Sequence, residues 1–216
     1  MNFETKYIIR WGIPGWLFLF WICLQVIILK ETNFAELAFT EIKTGLTFFI
    51  SLVVVGVPLG YLMHQLYFSV IWVITKKSKM NQDILDALQD KIEEPSNWGV
   101  NNNQDYYYLE AKWHLTLLKV DDSKRIYLEE RYRHFLGRIH SMGSLFASSL
   151  LSFLICTTIL IAFLAEGSFD FLSKLTMFYL ISLIMQFIIG FLSAKNYIYF
   201  SQNLKSFQIH IMKEYL

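Results

Sequence analysis

Between Arg131 and His140 the sequence gathers Arg131, Arg133, His134, Arg138 and His140. On a helix Arg133 and His140, seven residues apart, share a face, and Glu129, four residues before Arg133, is placed to pair with it. Histidine moves protons near neutral pH and arginine stabilises phosphate charge, so the chemistry open to this cluster is the binding or cleavage of a phosphodiester. Tyr106, Tyr107, Tyr108 and Trp113 lie upstream and could stack bases. A second use of the same basic residues is a membrane-proximal collar that fixes topology and touches anionic lipid headgroups, each charge contributing on the order of 1 kcal/mol near such a surface. Aromatic residues at four-residue spacing are, in turn, more often core than platform. The collar is the preferred reading, with nucleotide or nucleic-acid contact behind it.

By spacing, Arg133, His134 and His140 resemble the arginine, polar residue and histidine signature of the HEPN ribonuclease superfamily. No other catalytic pattern accompanies them: the sequence has no Gly-rich phosphate loop, metalloprotease histidine pair, paired-cysteine zinc arrangement or serine nucleophile elbow. No catalytic residue, cofactor or metal site is expected, and the chain reads as a non-enzyme. Cys23 and Cys156 both fall in apolar blocks, where a free thiol acts as a small hydrophobe, so no disulfide framework is indicated.

Hydropathy dictates the elements that must position these residues. In 216 residues, 55% are hydrophobic and only 17% charged, the mean hydropathy is +0.39, and the apolar residues come in blocks. A bilayer crossing needs roughly 20 mainly apolar residues, and four blocks qualify: 11–29, 46–74, 142–165 and 172–192. None holds an acidic residue, and Lys174, at the edge of the fourth, carries their only charge. The first block is too long and too rich in Trp for a signal peptide and is read as a retained span. Absence of intramembrane carboxylates counts against an ion-coupled transporter. The fold class expected is therefore an all-α, polytopic integral membrane protein with four transmembrane helices. A helical cytoplasmic insertion separates spans two and three.

Charge sets the orientation. Residues 76–138 carry eleven Lys and Arg, and Lys76, Lys77, Lys79, Arg131, Arg133 and Arg138 flank the second and third spans. Basic residues near span ends stay on the cytoplasmic side, which leaves sixteen of the nineteen inside. A multi-pass protein of the cell inner membrane with both termini cytoplasmic is expected. Its parts are 1–75 with spans one and two, a cytoplasmic domain at 76–138, spans three and four at 139–194, and an amphipathic tail at 195–216.

Within this frame Gly56, Pro58 and Gly60 mark a hinge or packing surface in span two, where proline removes a helix hydrogen bond and glycine admits a close neighbour. Gly143, Ser144 and Ser148 open span three with small side chains suited to helix association. His64 and Gln186 are intramembrane polar groups whose expected role is hydrogen bonding across the bundle or between subunits. The insertion reads as helices over 81–93, with Ile84, Leu85, Leu88 and Ile92 on one face, and over 106–120. A third helix begins near Lys124 and runs into span three without a strong breaker. The tail after Lys195 suits either the membrane interface or a place against the cytoplasmic domain.

This layout, together with Arg10–Gly15 "RWGIPG" and Arg131–His140 "RYRHFLGRIH", resembles the small four-span membrane accessory and effector proteins of bacterial antiviral, CRISPR-associated defence systems. The Ser-rich and Gly-rich faces of spans two and three suggest a homo-oligomer, and the resemblance implies an inner-membrane protein. It would couple a cytoplasmic signal or protein effector to a membrane response in antiviral defence, with the lipid bilayer as its other partner. Two further readings are a small channel or transporter unrelated to defence, and a membrane-tethered RNA-binding or RNA-cleaving protein.

Overall fold

The computed structural model describes residues 5–29, 42–74, 78–165 and 174–216. The first and third connections, along with Lys76 and Lys77 of the basic flank, fall on or partly on residues outside that set. The elements are α1 (Thr5–Leu29), α2 (Ile42–Tyr67), a π-helical stretch (Phe68–Ile74), α3 (Ser78–Ala87), α4 (Asn102–Leu118), α5 (Asp122–Ala165) and α6 (Lys174–Tyr215). Four helices are long and apolar enough to cross a membrane, through Trp11–Ile28, Ile50–Trp72, Asp122–Ala165 and Thr176–Tyr215. The protein is all-α, a four-span membrane architecture with a helical insertion between spans two and three. At about 1.5 Å per residue the 44 residues of α5 exceed a hydrocarbon core of about 30 Å, so its charged first half extends beyond lipid.

The chain forms two compact units, one from Met1–Tyr67 and Ser141–Lys195, the other from Phe68–His140 and Asn196–Leu216. Burial in the first unit is inside out. Val54 is 63% exposed and Phe178 60%, whereas Gln25, Ser148, Ser152 and Gln186 are fully buried. Lipid solvates apolar side chains as well as the interior does, so what gains from burial is the polar group that finds a partner. α1 and α2 meet through glycine. A Cβ on Gly60 would strike the Trp11 carbonyl, and one on Gly15 would strike the Gly56 carbonyl and the Gly60 amide. Gly143 on α5 accepts the ring of buried Tyr67 in the same manner.

The second unit has an ordinary apolar core. Ile84, Leu85, Leu88 and Ile92 are buried as their spacing predicts. The helix bearing the first of them, however, ends at Ala87, six residues before the predicted end. Leu88 and Ile92 sit in turns held by Leu88 N–H to Leu85 O at 2.9 Å and Ile92 N–H to Leu88 O at 2.9 Å. α4 starts earlier than periodicity suggests because Asn101, at extended φ −138°, accepts the Asn103 amide at 3.0 Å and caps it. Asp105 anchors the preceding turn by accepting the Gly99 N–H at 3.1 Å, with Gly99 at φ 80°, where a side chain would be strained. α5 runs unbroken from Asp122, as expected from the lack of a breaker. The tail continues α6 without interruption and packs Leu204, Ile211 and Met212 into this core beside Trp113, Tyr132 and Phe135.

Candidate functional site

The second unit holds a cavity of about 340 Å³ lined by aromatic rings and carboxamides. Phe68 and Trp72, four residues apart in the π-helical stretch, stack at 6.0 Å with only 9° between their planes. His140 of α5 lies 5.3 Å from Trp72 and 6.1 Å from Phe68, centroid to centroid. Tyr106 of α4 meets Trp72 edge-on at 6.4 Å and 88°, and Tyr107 follows at 5.8 Å and 66°. Asn81, Asn102, Asn103 and Leu136 complete the wall.

The Tyr106 ring is set by a network behind the cavity. The Tyr132 hydroxyl donates to the Glu110 carboxylate at 2.9 Å. Burial, reinforced by the Glu110 charge, pushes the Tyr106 phenol up to about 12 and the Tyr132 phenol further still. Both remain neutral donors at physiological pH. Trp113 stacks on Tyr132 at 5.3 Å, and with no exposed surface it belongs to the core and offers no face to a base. The Tyr108 hydroxyl donates to the Glu93 carbonyl at 2.6 Å. Of the aromatic residues suggested by sequence as base platforms, Tyr106 and Tyr107 are the two that reach a cavity.

The basic cluster divides along α5. Arg133 is exposed and pairs with Glu129 at 3.5 Å, the partner its spacing predicts. The Arg131 guanidinium lies 4.7 Å over the Phe135 ring, while Arg138 and His134 face solvent. His140 is half-buried in the cavity wall. Phe68, Trp72 and the asparagines were missed by sequence reasoning. The first two fall at the end of the second apolar block and Asn102 and Asn103 in the gap between the two predicted helices of the insertion, although an aromatic pair four residues apart at the end of a span was the available signal.

In the membrane unit the predicted polar residues form a buried seam. His64 Nδ1 and the Ser144 hydroxyl lie 3.0 Å apart, Ser148 donates to the Pro14 carbonyl, and Gln25 donates its amide to Ser182. The Tyr179 hydroxyl donates to the Cys156 carbonyl at 2.6 Å. Gly56 and Gly60 are buried packing positions and Pro58 is exposed. Gln186 sits against Cys156 and, with Ser149 and Gly190, lines a groove of about 170 Å³. The Gln186 carboxamide lies within hydrogen-bonding reach of the Cys156 thiol, while the Ser149 hydroxyl finds no hydrogen-bond partner among the described residues. Among the described residues no group of three or more His, Cys, Asp and Glu forms a metal site, and both thiols are free.

No family model, curated protein or solved structure matches the chain. The fold therefore defines the class: a multi-span helical membrane protein carrying a folded helical unit between its second and third spans.

Proposed function

We propose that the protein is a non-enzymatic accessory or effector of a bacterial inner membrane. Its second unit, on the cytoplasmic side with both termini, receives a ligand or protein partner, and its membrane unit converts that event into a change in the bilayer. The observation that carries this reading is the continuity of α5. Leu136 and His140 line the cavity, and Ser144, Ser148 and Ser152 follow at four-residue steps as buried positions of the membrane seam. The two units share this one helix, the covalent route by which a change at the cavity would reach the membrane unit. Orientation is supported by the basic residues of 76–138. The antiviral setting is supported by the four-span layout and by the Arg10–Gly15 and Arg131–His140 segments.

Self-association is supported by the groove around Gln186. Small residues such as Gly190 and Ala194 in its wall let a helix of a second copy approach closely.

Coupling is tested by filling the cavity with Leu136→Trp and following maleimide labelling of Ser152→Cys in nanodiscs. The expected result is a several-fold change in labelling rate that disappears when Gly137→Pro interrupts α5. Equal rates with and without the filled cavity would overturn the reading. A second reading, a small channel conducting through one subunit, is favoured by the polar side chains His64, Ser148 and Gln186 within the membrane unit. It predicts flux that persists in nanodiscs containing one protomer each.

A further inference from the structure

We propose that the cavity of the second unit takes a nucleobase, the flat heteroaromatic ring of a nucleoside or nucleotide. The inference rests on the reading above that this unit receives a ligand, and it names the chemistry of that ligand. The described residues lining the cavity are aromatic, carboxamide and aliphatic, with His140 beside them, and such a wall solvates a guest with an apolar face.

Ring geometry narrows the choice of guest. Trp72 and Phe68 are nearly parallel, while Tyr106 stands at 88° to Trp72 and Tyr107 at 66° to Tyr106. A flat guest stacks on one wall and turns its edge to the next. Tyr107 is 69% exposed and Phe68 39%, which leaves ring surface that stacking would cover. At the edges stand the carboxamides of Asn81, Asn102 and Asn103. A carboxamide presents a donor and an acceptor side by side, the complement of a base edge. Size agrees: 340 Å³ lies at the small end of ligand pockets, about 300–1,000 Å³, enough for a base and its sugar but not for an acyl chain or a folded peptide. Arg133 lies one turn before Leu136 on α5 and is exposed, a cation within one helical turn of the cavity wall.

The test is equilibrium dialysis of full-length protein in nanodiscs against labelled adenosine, guanosine, cytidine and uridine, with ribose and tetramethylammonium as comparison solutes. Saturable binding of at least one nucleoside is expected, with none of ribose. Trp72→Ala and Tyr107→Ala should each weaken it roughly tenfold, as loss of a stacking ring does, and Tyr107→Phe should restore it. Circular dichroism melts confirm that each variant is folded. Adenosine monophosphate and a short unstructured oligonucleotide separate the sources of the base. Tighter binding of the monophosphate that is lost in Arg133→Ala assigns a free nucleotide, and tighter binding of the oligonucleotide assigns a base within a strand. The proposal is overturned by absence of saturable nucleoside binding up to about 10 mM, by binding unchanged in folded Trp72→Ala and Tyr107→Ala, or by preference for tetramethylammonium. Base binding that leaves Ser152→Cys labelling unchanged refutes coupling alone. Labelling that responds to Leu136→Trp without any base binding refutes the ligand assignment alone.

Discussion

Ser148 on α5 donates its hydroxyl proton to the carbonyl oxygen of Pro14 on α1 over 2.5 Å, with Ser148 fully buried. The bond ties the first span to the third at a place where lipid offers no substitute donor. Such bonds in helical bundles contribute about 0.6 kcal/mol on average, with a maximum of about 1.7. Ser148→Ala is expected to destabilise the membrane unit by about 1 kcal/mol in reversible unfolding in bicelles. No loss of stability would mean that the bond is not formed in lipid.

Gly60 gives a larger effect through volume. A Cβ there meets the Trp11 carbonyl, a backbone atom that cannot swing aside as a side chain would. Gly60→Ala is expected to cost about 1–3 kcal/mol, the range for overpacked interiors, and Gly60→Leu to prevent α1 and α2 from pairing. Cysteine cross-linking between the two helices measures both. A wild-type cross-linking yield in Gly60→Leu would contradict the close approach.

Much of this bundle was legible in the sequence, and the reasons are physical. Long uncharged blocks admit one solution in hydrocarbon, and the run from Lys124 into span three lacks any residue that breaks a helix. The buried face of Ile84, Leu85, Leu88 and Ile92 also followed from spacing, because apolar side chains seek the core whether the backbone is helix or turn. Helix ends were less legible: Asn101 caps α4 through its side chain, and no apolar periodicity marks that start. The cavity was hidden for a different reason. Its wall joins Phe68 and Trp72, Asn81, the start of α4 and the middle of α5, segments brought together only by the packing of the second unit, and Trp113, prominent in sequence, is consumed by that packing.

Alkaline pH should reach the second unit through its buried phenols. Tyr106 has an ordinary value of 10.0 and is raised to about 12 in the fold, so the folded state holds its proton more tightly than the unfolded chain does. That contribution is complete below pH 10 and is lost as pH rises toward about 12. The melting temperature of the second unit should therefore fall through this window. Ultraviolet difference absorbance should place Tyr106 ionisation lower in Glu110→Gln, where a repelling charge has been removed. An ionisation unmoved by that change would argue against the Tyr132 and Glu110 network.

Lys205 and Leu204 are neighbours on α6 with unequal expected contributions. Lys205 pairs with Asp83 at 2.7 Å, with side chains 26% and 39% exposed, whereas Leu204 is 2% exposed. A partly solvated ion pair contributes up to about 1 kcal/mol, and a buried leucine truncated to alanine costs about 2–5 kcal/mol. Lys205→Ala should lower the melting temperature slightly and Leu204→Ala severely. The reverse order would show that α6 is held by charge rather than by its apolar face.

Gln186→Leu addresses self-association. Replacing this buried carboxamide by an apolar group of similar volume removes both its polar atoms and the need to satisfy them, and is expected to leave the protomer nearly as stable while repacking the groove and lowering the yield of chemically cross-linked oligomers in membranes. An unchanged oligomer yield would sever the link between this residue and assembly.

The stretch Phe68–Ile74 winds as a π-helix, taking about one residue more per turn than an α-helix. Angular bearing and segment length are therefore coupled there. Deleting one residue between Phe68 and Trp72 would let the chain tighten, swinging the indole away from His140 without changing the identity of any side chain that remains. Insertions and deletions in this short passage, more than substitutions, are the changes to which the cavity is most vulnerable.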